Sequence, residues 1–161
     1  MKRSSFITGS AVTAAVGLSA LFTRRAPASQ TYEVTHTDMQ WRAMLGQDRY
    51  DILRRGGTEP PFSSALITET RSGTYRCAGC ELGLFSSKTK FDSGDGWPSF
   101  WNVLPNATRT QADYALVEER TEVHCRRCGG HLGHIFDDGP APTHLRYCID
   151  GLALRFVPGS A

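Results

Sequence analysis

At 161 residues, with 40% apolar and 21% charged side chains, the chain is long enough for one compact domain and too apolar for general disorder. Its formal charge of +2 is unevenly placed: Lys2, Arg3, Arg24 and Arg25 lie in the first 28 residues, which hold no acid, and the remainder carries 14 basic against 16 acidic side chains. A domain of net charge −2 lacks the concentrated basic stripe of a nucleic-acid binder, so no nucleic-acid partner is expected.

Residues 1–28 read as an export signal. Lys2-Arg3 forms a positive start, the run from Phe6 to Phe22 is apolar and rich in small residues, and Ala26-Pro27-Ala28 offers an A-x-A cleavage site before Ser29. At about 17 residues the run is just short of a membrane span. The expectation is export, to the periplasm, with an uncleaved membrane anchor as the alternative. Lys2-Arg3-Ser4-Ser5-Phe6-Ile7 is an imperfect twin-arginine pattern, and no cysteine follows the run to carry a lipid.

Residues 29–37 are polar and read as a linker to a domain over 38–161. Asp38 is expected to cap a short helix through Met39, Trp41, Met44 and Leu45, which Gly46 interrupts. A second helix over about Gln47–Arg55 would bury Tyr50, Ile52 and Leu53, with Gly56-Gly57 as its stop. Thr58-Glu59-Pro60-Pro61-Phe62 cannot continue a helix. Beyond it the chain breaks into short β segments between turn residues: Ala65–Thr68, Thr74–Cys77, Leu82–Phe85, Tyr114–Val117, Glu122–Cys125, Leu145–Ile149 and Leu152–Val157. The expected class is mainly β and antiparallel. Phe91 to Thr110 is a long irregular stretch holding two tryptophans and two prolines, a length that usually has a function.

Two Cys-x-x-Cys knuckles, Cys77-Ala78-Gly79-Cys80 and Cys125-Arg126-Arg127-Cys128, lie on either side of residues 81–124. Each turn points two thiolates at one position, and two turns complete a tetrahedron, so the four cysteines are expected to hold one structural zinc ion. The competing readings are two disulfides or two redox pairs. A redox pair normally sits between a strand and a helix N-terminus, whereas both knuckles here follow strands and lead into Gly-rich sequence. Four thiolates saturate the ion and leave no open catalytic position.

Cys148 is the cysteine left over. On a strand through Leu145-Arg146-Tyr147-Cys148-Ile149-Asp150, Leu145, Tyr147 and Ile149 share a core face, and Arg146, Cys148 and Asp150 the other. The thiol thus stands between a cation that favours its ionisation and an anion that opposes it. An inert buried cysteine is the bland alternative. His131 and His134 would face opposite ways on a plain strand, unless Gly133 allows a bulge. A free cysteine with histidines elsewhere in the chain is a nucleophile-plus-acid pattern. Gly94-Asp95-Gly96-Trp97-Pro98-Ser99-Phe100-Trp101 reads either as loop-to-core packing or as an apolar wall for a small group such as a methyl.

These residues resemble a known family. Tyr75-Arg76-Cys77-Ala78-Gly79-Cys80, Gly96-Trp97-Pro98-Ser99-Phe100, His131-Leu132-Gly133-His134-Ile135-Phe136-Asp137-Asp138-Gly139-Pro140 and Arg146-Tyr147-Cys148 are similar to the B-type peptide-methionine sulfoxide reductases. Gly57-Thr58-Glu59, Pro61-Phe62-Ser63 and Ala153-Leu154-Arg155-Phe156 fit as well, and the similarity spans Trp41 to Pro158. The resemblance implies two antiparallel sheets with short N-terminal helices, and reduction of the R epimer of methionine sulfoxide in oxidised proteins. It implies Cys148 as nucleophile, Trp97 for the methyl group, and His131, His134, Asp138 and Arg146 on the polar side, one of them the proton donor. A sulfenic acid would form on Cys148.

Two positions depart from the family pattern. Many members carry a resolving cysteine before Gly-Trp-Pro-Ser-Phe, where this chain has Asp95. With four cysteines on zinc, the expected cycle is a one-cysteine cycle resolved by an external thiol or thioredoxin-like donor, in a monomer. Asp150, beside the substrate, stands where the family usually has asparagine; a carboxylate only accepts hydrogen bonds and, when charged, raises the thiol pKa. A zinc-knuckle binding module without catalysis is the alternative function.

Overall fold

The computed structural model describes residues 31–115 and 119–160. The expected export signal lies outside the described residues, among which no helix is long and apolar enough to cross a membrane. The stretch at 31–37, expected as a linker, runs along the second knuckle. Val34 N–H donates to Arg127 C=O at 3.1 Å, and Glu33 pairs with Arg126 and Arg127.

The two expected helices run as one kinked helix, α1 (Asp38–Arg55). Gly46 has φ 73° and ψ 170°, so the sequence break is real, but the helix resumes at once on its far side. Thr37, not Asp38, is the N-cap: its hydroxyl accepts from Gln40 N–H while the Gln40 side chain accepts from Thr37 N–H, a capping box that an Asp38 cap would forgo. Asp38 instead sits in the first turn and pairs with Arg42. Gly56 closes α1 in the left-handed conformation. Trp41, Leu45, Tyr50, Ile52 and Leu53 are buried; Met39 and Met44 remain exposed.

Among the described residues, nine strands form two antiparallel sheets. The smaller contains β1 (Gly73–Cys77), β2 (Gly83–Ser86) and β9 (Leu154–Pro158), in the order β2-β1-β9. The larger contains β3 (Lys90–Phe91), β4 (Ser99–Phe100), β5 (Thr108–Asp113), β6 (Arg120–Cys125), β7 (His131–Phe136) and β8 (Arg146–Ile149), in the order β3-β4-β8-β7-β6-β5. Aromatic rings from both sheets meet in the core. Phe85 of β2 stacks on Phe100 of β4 at 4.3 Å between centroids, and Tyr75 of β1 meets Phe100 edge-on at 4.9 Å. All three are fully buried, which supplies several kcal/mol of hydrophobic stabilisation at roughly 2–3 kcal/mol per side chain.

Some expected strands differ. Ala65–Ile67 is a 3-10 helix capped by the Ser64 hydroxyl; Ala65 is exposed and Leu66 and Ile67 are only partly buried, so no sheet face claims them. Tyr114 is exposed and follows the end of β5, and residues 116 and 117 of that expected strand lie outside the described residues. The strand of this region is β5, upstream, whose polar residues form an exposed edge of the larger sheet. Gly151–Ala153 is a 3-10 turn, and β9 begins only at Leu154.

Candidate functional site

Cys148 sits on β8 inside the larger sheet, opposite Ser99 of β4 on one side and His134 of β7 on the other. Cross-strand partners share a face, so Cys148 and His134 point the same way. His131 joins them through a bulge. Val123 pairs with Gly133 and His124 with His131, so Leu132 is the extra residue in β7 and the normal alternation is reset. The two imidazole rings come within 5.5 Å of each other. Gly133 permits this with φ +148°; a Cβ there would lie 2.1 Å from Cys148 O.

A cavity of about 150 Å³ opens over the thiol, lined by Thr58, Trp97, Arg120, His134, Cys148 and Asp150, with Gly133 and Phe136 behind. Four of the expected site residues, Trp97, His134, Cys148 and Asp150, are therefore brought together. Trp97 is fixed by its indole N–H, which donates to Glu59 C=O at 3.1 Å. Arg146 and Asp138 form a separate arm: the guanidinium donates to both Asp138 oxygens at 2.8 Å, covers the Phe136 ring at 4.4 Å, and also contacts Asp95. They line a second, wider cavity of about 540 Å³ together with Asp92 and Asp95. His131 is buried and does not line the cavity over the thiol.

Both histidines are held by carboxylates that the sequence did not single out. His131 Nδ1 bonds Glu122 at 2.7 Å, and His134 Nε2 bonds Asp113 at 2.8 Å, which is in turn paired with Arg120 at 2.7 Å. Burial pulls the His134 pKa below its ordinary value, against the hydrogen bond that the ring donates to Asp113. Burial is also the main reason the Cys148 thiol is pushed up to about 12; the nearby Asp95 charge adds to this and Arg146 opposes it. Glu122, on the same strand as Arg120 and two residues on, carried an alternation signal; Asp113 did not, because its partner depends on register.

Asp150 lies just past the end of β8 and is 3% exposed. Its carboxylate accepts Glu59 N–H at 2.9 Å and stands 3.8 Å from His131 Nε2. Burial raises its pKa to about 6. Because the folded value lies above the unfolded one, ionised Asp150 costs stability at pH 7, and that cost fades as pH falls through about 6. Asp150→Asn keeps the acceptor for Glu59 and removes the charge. The variant is expected to be more stable by roughly 1–3 kcal/mol at pH 7 and to ionise Cys148 more readily. Thermal melts at pH 7.5 and pH 5 check this; a gain of the same size at both values would contradict it.

The four knuckle cysteines converge at the ends of β1 and β6. Their sulfurs all lie within 4.8 Å of one another, and two pairs that run between knuckles, Cys77–Cys128 and Cys80–Cys125, stand at 3.7 Å and 3.5 Å. These exceed any disulfide, and they match the edge of about 3.8 Å of a sulfur tetrahedron whose centre lies about 2.3 Å from each ligand. The cysteines can hold a metal ion, and the α1 residues Trp41 and Leu53 pack beside them.

A thiol, an indole and a carboxylate-held imidazole thus meet in one cavity of a two-sheet β scaffold. Residues 45–158 match the SelR domain. A protein of Leptospira interrogans named peptide methionine sulfoxide reductase MsrB is 50% identical over 126 residues, covering 78% of this chain and 96% of its own. Proteins of the same name from Thiobacillus denitrificans and Methanosarcina barkeri are 51% and 48% identical, covering 76% of this chain and 93% and 87% of theirs. The chain belongs to the MsrB family.

Proposed function

We propose that the protein reduces the R epimer of methionine sulfoxide in oxidised proteins, with Cys148 as nucleophile. The observation that carries this reading is the single narrow cavity shared by Cys148, Trp97 and His134 in a chain about half identical to named reductases. The substrate methyl group rests on the Trp97 ring, which places the sulfur over Sγ and the oxygen toward His134. Asp113 accepts from Nε2–H, so the proton given to the oxygen comes from Nδ1 of the imidazolium form, which the Asp113 charge favours against the effect of burial. The hydroxyl passes to Sγ, and the products are methionine and a Cys148 sulfenic acid. Of the two histidines, His134 is the proton donor in this scheme. His131, held by Glu122, supports Asp150 at the floor. Arg146, carried by Asp138, stabilises negative charge on Sγ.

Zinc at the four cysteines supplies no chemistry to the reaction; it joins two hairpins distant in sequence. Since the other four cysteines are ligands, the sulfenic acid is resolved by an external thiol or a thioredoxin-like donor, and the enzyme acts after export, in the periplasm. Stereochemically pure substrates test the reading. With dithiothreitol as donor, R-sulfoxide is consumed and S-sulfoxide is left intact; equal loss of both epimers, or of neither, would overturn it. A disulfide between Cys148 and another cysteine of the same chain, found by mass spectrometry during turnover, would sink the one-cysteine cycle.

A further inference from the structure

Asp95 has a position that the reaction just described does not use. Its Oδ1 accepts from the Ser93 hydroxyl at 2.6 Å and from Trp97 N–H at 3.3 Å, which fixes the carboxylate on its loop. Its Oδ2 takes the Arg146 guanidinium and, at 3.6 Å, the Cys148 thiol. The side chain is 27% exposed and lines the wider cavity, while the thiol it touches lines the narrow one. Asp95 therefore stands between the two spaces.

An anion held against a nucleophilic thiol is at first sight a handicap. With the thiol pushed up to about 12, little of it would be thiolate at pH 7 if the proton had to go to water. Transfer to Oδ2 is different. The negative charge moves from carboxylate to sulfur without changing the charge of the cluster, and Arg146 remains beside it throughout.

We propose that Asp95 is a catalytic proton carrier serving both halves of the cycle. This rests on the functional reading above. In the first half, the S–H bond breaks to Oδ2 while Sγ attacks the substrate sulfur. The proton from His134 goes to the sulfoxide oxygen, the S–O bond to substrate breaks, and the hydroxyl ends on Sγ. The substrate sulfur gains two electrons and Sγ loses two. In the second half, an external thiol takes the place of the departed methionine in the narrow cavity and gives its proton to His134. Its sulfur bonds to Sγ, and the leaving hydroxide takes the proton held by Asp95 and departs as water. A mixed disulfide remains for a second external thiol, and both acid–base groups return to their starting state.

The test separates the rate of thiol ionisation from the rate of reduction. The charged and titratable groups facing Cys148 are Arg146 and Asp150 on its own segment, His134 on β7, Arg120 on β6 and Asp95, with Asp138 behind Arg146; only Asp95 is changed. In Asp95→Asn, iodoacetamide alkylation of Cys148 at pH 7 is expected to rise about tenfold, because an opposing charge is gone. Single-turnover methionine formation without added reductant is expected to fall about 100-fold, the usual scale of lost general-base help, and Asp95→Glu should recover part of it. An asparagine variant that reduces sulfoxide as fast as the native protein, or faster, would show that Asp95 only restrains the thiol. A parallel fall in alkylation and reduction would mark a purely structural role; either result overturns the proposal. If the native protein itself reduces no R-sulfoxide, it is the functional reading that fails.

Discussion

Replacing Cys148 by serine is expected to abolish sulfoxide reduction, by about 10³-fold or more, and to leave the fold and the metal content unchanged. The size of the effect follows from the chemistry. A serine hydroxyl in the same place is a far weaker nucleophile and cannot carry the hydroxyl as a sulfenic acid. The tolerance of the fold follows from geometry. Cys148 is half-buried at the edge of a cavity, while the core beneath β8 is filled by the fully buried Ile149 and by Tyr147. The measurement pairs stereo-resolved turnover with zinc content and a thermal melt. Activity within tenfold of native would mean that another group is the nucleophile. Loss of activity with loss of metal would show that the residue had been needed for folding instead.

Removing the proposed zinc, or changing Cys128 to serine, is expected to unfold the domain rather than merely slow it. The binding energy of a structural zinc is about 10–16 kcal/mol in small zinc domains, comparable to the whole stability of a typical domain, about 5–15 kcal/mol. In this fold the ion would close the end of β1 onto the end of β6, and so join the smaller sheet to the larger one. The α1 side chains Trp41 and Leu53 rest on the knuckle glycines, so loss of the knuckles also unseats the helix. Near-ultraviolet circular dichroism with and without a strong chelator decides the matter. A chelated protein that melts within a few degrees of the native one would show that the hydrophobic core alone suffices.

The parts of this design that are local in sequence were legible there. Two knuckles announce a four-sulfur site from spacing alone, and the alternation in Leu145 to Asp150 separates the core face from the thiol face. What escaped depends on contacts between distant segments. β5 is polar along its length because it is an exposed edge, so it carries no hydrophobic alternation to read. β3 and β4 are two residues each and have no pattern at all. The roles of Asp113 and Glu122 as imidazole partners follow from the register of β5, β6 and β7 and from a bulge at Leu132. Glu59, in a proline-rich turn, is buried and its carboxylate accepts the backbone N–H groups of Gly151 and Leu152. That is a contact across more than half of the chain, and no local rule foretells it.

The pairing of Cys148 with Ser99 on one side and His134 on the other makes the alignment of the site a question of counting residues. A side chain changes face with every step along a strand. One residue inserted or deleted within 146–149 would turn the thiol toward the space now filled by Phe85 and Phe100, whatever its neighbours did. The turn at 137–145, by contrast, lies outside the paired stretch, and its length does not set which way Cys148 faces. Descendants of this chain can therefore change the length of that turn only where Asp138 still reaches Arg146, whereas the length of the short strand after it is fixed.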